Sequence, residues 1–175
     1  MKRSGVAWTV SLFAATVMAF VAPTASAVAA PSQPAATSVA ACTFTANFTL
    51  SPGVTLTPST FRFTTGGETA TVTCIGSVNG AAVTGPGTYG EQGVIENGNC
   101  ATGSGEGTYS AHIPTTAGMQ HVKGTFDLTY VGFIGTETGP NITATFEYIP
   151  TEGNCLTTPL TGFTLIQEEE LRSNS

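Results

Sequence analysis

Charge is what this chain of 175 residues has least of: 9% of its side chains are Asp, Glu, Lys or Arg, and only five of them are Lys or Arg. Phosphate backbones are held by basic stripes, so the sequence excludes nucleic-acid binding as its function class. Asp127 is the single aspartate and Trp8 the single tryptophan. Beyond the N-terminal segment no run of ten residues carries apolar side chains at helical spacing, which excludes a helical bundle. No cysteine pair stands as C-x-x-C, the spacing of the common zinc frameworks. No serine stands in G-x-S-x-G, so a triad of Ser110, His112 and Asp127 would lack the strained elbow that exposes the nucleophile. Gly103-Ser104-Gly105-Glu106-Gly107 lacks the lysine and the following helix of a phosphate loop, and no cofactor is expected.

Hydrophobic residues, by contrast, make up 41% of the chain, enough apolar surface to offset the entropy of ordering a core. Met1-Lys2-Arg3, the apolar run from Val6 to Val21 and the small residues Ala25 and Ala27 read as a secretory signal peptide, residues 1–27. The run is shorter than the roughly 20 residues of a bilayer-spanning helix. A secreted, extracellular product with no membrane insertion after cleavage is therefore expected. Removal of residues 1–27 leaves Arg62, Lys123 and Arg172 against eleven acidic side chains, a net charge of -8 that favours a soluble monomer. Residues 28–41, rich in Ala, Pro, Ser and Thr, read as a flexible leader, and residues 168–175 as an acidic disordered tail. The folded domain is expected over 42–167.

Within it, apolar and polar residues alternate with period two. Phe44, Ala46, Phe48 and Leu50 share one face of a strand over 42–50, and Ala70, Val72 and Cys74 share one face of another. Asn79-Gly80 is a hairpin turn signal. Tyr109, Ala111 and Ile113 point inward from a strand over 107–113. Val122, Phe126, Leu128 and Tyr130 do so from the next, Ile142, Ala144, Phe146 and Tyr148 from a return strand, and a last strand covers 160–166. The stretch from Thr84 to Gly107 holds eight glycines and reads as a long loop around one weak strand. The pattern predicts an all-β fold, an antiparallel β-sandwich with a closed β-barrel as the alternative. Four cysteines in an exported chain imply two disulfides, and four cysteines allow three connectivities. Cys42 and Cys74 fall in phase with their strands, while Cys100 and Cys155 each close a Gly-Asn-Cys string, which favours Cys42 with Cys74 and Cys100 with Cys155.

Register supplies the candidate chemistry. A symmetric hairpin at Pro114 to Gly118 sets Glu106 against Asp127 and His112 against His121 on the outer face. A symmetric reversal over Gly135 to Pro140 then sets Asp127 against Glu147. Three carboxylates in a row would suit a bound cation or a glycosidase-like pair, and two facing histidines would suit a divalent metal. The expected loop offers Tyr89, Glu91, Glu96, Asn97 and Asn99 as contact residues.

The alanine-rich leader, Leu50-Ser51-Pro52-Gly53-Val54, the stretch from Gly107 to Pro114 and the two Gly-Asn-Cys strings together resemble small exported β proteins of actinobacteria. The resemblance implies export and an all-β fold. A second likeness, to the apoproteins of enediyne chromoproteins, stops at the cysteines, because those proteins close two short disulfide loops. The expected function is that of a non-enzymatic exported protein acting through its surface, on a glycan or protein partner, or as an envelope-associated structural component. A polysaccharide hydrolase built on Glu106, Asp127 and Glu147 and a secreted protease inhibitor with a loop pinned at Cys100 are the alternatives.

Overall fold

The structure, a computed structural model, describes residues 37–174. The expected signal peptide lies outside the described residues. Ten strands follow one another: β1 (Thr37–Val54), β2 (Ser59–Thr64), β3 (Ala70–Val78), β4 (Ala81–Ala82), β5 (Gly87–Gly98), β6 (Thr102–Thr115), β7 (Gly118–Val131), β8 (Ile134–Thr138), β9 (Ile142–Glu152) and β10 (Leu160–Asn174). Neighbours pair antiparallel from β10 through β9, β8, β7 and β6 to β5. From β5 the ladder returns to β1 by two short strands, β3 at one end and β2 at the other. β1 then pairs with β10 from Thr37↔Asn174 to Val54↔Leu160. The packed layers of this sandwich-like fold are thus joined along both edges, which removes the long unpaired edges through which β proteins aggregate. The all-β, antiparallel expectation and both expected disulfides are present, the latter as Cys42–Cys74 and Cys100–Cys155.

Alternation explains the core. From Ala40 to Leu50 every second residue is buried, and the inward sets read from the sequence for β1, β3, β7, β9 and the second half of β6 are buried. Phe44 stacks on Tyr89 with centroids 4.1 Å apart, and Phe48 stacks on Phe163 at 5.0 Å. Each such ring removed from water contributes on the order of 2 to 3 kcal/mol before entropy is counted. Cys42 and Cys74 are direct cross-strand partners in β1 and β3, which is why the in-phase cysteines pair. At the Asn79-Gly80 turn both residues have positive φ, 50° and 78°, as a two-residue hairpin between β3 and β4 requires.

Three expectations are corrected. Residues 37–41 of the expected leader belong to β1, and residues 168–174 of the expected tail belong to β10. The two segments pair with each other, and small Ala40 and large Leu171 are both buried there. Glu169 is buried too, so the acidic run conceals an inward-facing alternation that polar residues interrupt. The glycine-rich stretch is not a loop but β5 and the first half of β6. Its glycines make room for rings on neighbouring strands: a Cβ on Gly107 would strike Phe126, one on Gly103 would lie 2.6 Å from Tyr130, and one on Gly93 would strike Phe63. Finally, the chain reverses at Gly132 rather than after Gly135, so that β8 is inserted between β7 and β9.

Candidate metal centre

The reversal between β2 and β3 carries the first ligand. Gly66 and Gly67 adopt φ of 74° and 117°, open to glycine and costly for other residues. The Thr65 hydroxyl donates to the Gly67 carbonyl at 2.6 Å and the Thr69 hydroxyl to the Thr65 carbonyl at 3.1 Å. This pinned turn delivers Glu68 onto the outer face of β5 and β6. There Thr88 faces His112 across the ladder, and His112 faces His121 on β7. Ser110, two residues before His112, shares that face because side chains alternate.

The two imidazoles lie nearly parallel, centroids 4.3 Å apart and 8° between planes. The Glu68 carboxylate accepts hydrogen bonds from Ser110 Oγ, from His112 Nδ1 and, at 3.4 Å, from Thr88 Oγ1. Its Oε1 lies 3.9 Å from His121 Nε2, which is 2.9 Å from Ser110 Oγ. A hydroxyl has one proton, and Ser110 gives its own to Glu68; His121 Nε2 is therefore the donor to Ser110. The Ser110 hydrogen bond holds the Glu68 carboxyl below its ordinary 4.5 against partial desolvation, helped by His112 and Thr88. One ligand atom from each of Glu68, His112 and His121 falls within 4.8 Å of the others. Donors on one tetrahedral zinc stand roughly 3.3 Å apart, from bonds of about 2.0–2.1 Å, so modest side-chain rotation closes the set. The side chains keep 26%, 41% and 50% exposure in that order, which leaves the outer coordination positions to solvent. Two imidazole nitrogens and one carboxylate oxygen suit zinc, copper(II) or nickel(II), whereas calcium and magnesium prefer an all-oxygen shell.

The structure brings His112 and His121 together as their register implies. Glu68 was not foreseen. It lies 44 positions from His112, and it arrives through the pairing of β3 with β5, a neighbourhood that sequence order does not announce. Glu106 does face Asp127. Glu147 does not join them, a correction that follows from β8: Asp127 pairs with Thr138 and Glu147 with Ile134. Ser110 and His112 do meet a carboxylate, but it is Glu68 rather than Asp127.

The expected contact residues divide. Tyr89 and Glu91 are buried inside the fold, because β5 is a strand with those positions inward. Glu96 and Asn97 are exposed at its end. Asn99 is half-buried and serves the turn, its Oδ1 accepting from the amides of Ala101 and Thr102 at 2.8 and 3.0 Å. Around Cys155 the amides of Asn154 and Cys155 both donate to the Thr158 carbonyl. Comparison with protein-family models, with curated proteins and with solved structures gives no match for the chain.

Proposed function

We propose that this is an exported, non-enzymatic β protein that binds a divalent transition-metal ion on its outer face through Glu68, His112 Nδ1 and His121 Nε2. The convergence of one carboxylate oxygen and two imidazole nitrogens within 4.8 Å supports this reading. Secretion, read from the first 27 residues, fits a surface site that samples metal in the medium. The metal takes the place of the protons through which His112 Nδ1 and His121 Nε2 donate to Glu68 and Ser110, each ring then carrying its proton on the other nitrogen. Because a metal binds only the neutral imidazole, protons compete with it and affinity falls at acidic pH. The coordination positions left to solvent give the bound ion room for a donor from a partner, which is how surface binding would follow from metal binding.

Isothermal titration calorimetry of the full chain tests the proposal. Zinc and nickel are expected to bind at one equivalent near pH 7.5, and calcium and magnesium are not. His121→Ala and Glu68→Ala should each weaken zinc at least about tenfold, the size of effect that loss of a ligand or its supporting shell produces. Ser110→Ala removes a hydrogen-bond partner of Glu68 and His121 but no ligand atom, so it should keep one-equivalent binding with a smaller loss than either ligand variant. Unchanged zinc affinity in both ligand variants overturns the assignment.

A further inference from the structure

Among the described residues, three glutamates meet inside the fold with no cationic side chain to face them. Glu91 on β5, Glu137 on β8 and Glu169 on β10 are 4%, 1% and 5% exposed. Arg62, Lys123, Arg172 and His121 are exposed, and His112 lies half-buried on the outer face. Ala144 on β9 is the cross-strand partner of both Glu137 and Glu169. Its small methyl leaves room for the two glutamates to approach Gln167. The Gln167 amide nitrogen donates to Glu137 at 3.0 Å and to Glu169 at 3.3 Å. The Tyr89 hydroxyl donates to Glu91 at 3.3 Å. Glu91 and Glu137 line the same cavity, and burial, then the charge on Glu137, raises the proton affinity of Glu91, so the pair keeps one proton between its two carboxylates.

Acceptors in this group outnumber donors. Gln167 is fully buried, yet its Oε1 has no partner; neither has Glu169 Oε1, nor the hydroxyl of Tyr109, the cross-strand partner of Glu91. Burial raises the Glu91 carboxyl far above its usual range, Glu137 to about 7 and Glu169 to about 8. The other titratable groups facing the interior are Tyr130 on β7 and Tyr148 on β9, whose hydroxyls donate to the carbonyls of Asn99 and Cys100. Beside Glu91 and Glu137 lies a cavity of about 60 Å³ walled by Phe48, Phe63, Phe146 and Phe163. At roughly 10–15 Å³ for each water, that space admits a molecule of a few heavy atoms.

We propose that this interior binds a small primary ammonium ion, with its NH3+ group between Glu91 and Glu137 and its short apolar stem in the phenylalanine-lined cavity. A carboxylate pair sharing one proton carries one negative charge, which a monocation neutralises. Its N–H donors supply hydrogen bonds to the two cavity-lining carboxylates, which no cationic side chain among the described residues faces. The phenylalanine faces that wall the cavity attract a cation held beside them. A compact divalent metal fits less well: among the described residues, three carboxylate or imidazole ligand atoms gather within 4.8 Å only at Glu68, His112 and His121.

Thermal melting of the full chain tests this site, after long equilibration at about pH 8.5 and at about pH 5 with ~100 mM methylammonium or ethylammonium chloride. Sodium and tetramethylammonium chloride at equal ionic strength are the controls. The primary ammonium salts are expected to raise Tm by about 2 °C or more at the higher pH. No such rise is expected at the lower pH, where protons satisfy the carboxylates, nor with either control salt. Glu137→Gln should abolish the difference. Equal melting in all four salts at pH 8.5, or an undiminished shift in Glu137→Gln, overturns the proposal. Should that variant fail to fold, 13C-methylammonium NMR on the unaltered chain decides. A resonance displaced by aromatic ring currents is expected, and a single unshifted line overturns the site.

Discussion

Glu68 and Glu169 carry the same side chain, and their surroundings move its proton affinity in opposite directions. Glu68 accepts three hydrogen bonds at the surface and is held below 4.5, so its contribution to stability exists above that pH and is lost as pH falls through its lowered value. Glu169 and Glu137 are buried without a counter-charge and are raised to about 8 and about 7. Between the ordinary carboxyl range and those values the folded chain keeps protons that the unfolded chain has released. Stability is therefore present at low pH and lost as pH rises through about 7 and about 8. Urea unfolding in sodium chloride should show a free energy that declines from about pH 5 to about pH 9. Glu169→Gln, which cannot ionise, should flatten the decline and exceed the unaltered chain at pH 9 by at least about 1 kcal/mol. A curve that rises over the same range contradicts the buried cluster. None of this was legible in the sequence, where Glu168-Glu169-Glu170 reads as a solvated run; only the pairing of β10 with both β1 and β9 turns its middle member inward.

At the scale of the strand, the apolar alternation was legible wherever large side chains supplied it, as in β1, β7 and β9. It failed in β5 and the first half of β6 because the inward positions there are partly glycine, whose partner is a ring from the next strand. Gly107 lies opposite Phe126 and Gly124 opposite Tyr109, so each ring covers a neighbour that has no side chain of its own. A period-two search finds only the ring. Gly107→Ala places a methyl into the Phe126 ring and the Gln92 carbonyl, 2.9 Å away, and should cost about 1–3 kcal/mol by overpacking, measured by equilibrium denaturation. A neutral result would show that the ring shifts freely and that these glycines mark something other than packing. β8 escaped notice for a different reason: five residues between two glycine-bearing turns have too little length to display a period.

For the molecule as a whole, the decisive event is the return of β10 to β1, which closes the ladder and buries Gln167, Glu169 and Leu171. Deletion of residues 168–175 should therefore abolish cooperative unfolding or lower Tm by well over 10 °C, whereas a disordered tail would be removed without effect. Fold class and disulfide pairing followed from local pattern, and the His112–His121 pair from one hairpin's register. The rest of the candidate centre did not, because Glu68 joins through strands that are neighbours only once the ladder has closed. The most direct test of that centre is X-ray absorption at the zinc edge on the full chain with one equivalent of zinc. A first shell of nitrogen and oxygen donors with outer-shell scattering from two imidazoles is the expected result, and its loss of one imidazole in His121→Ala would complete it. A shell of oxygens alone, without imidazole scattering, would contradict it.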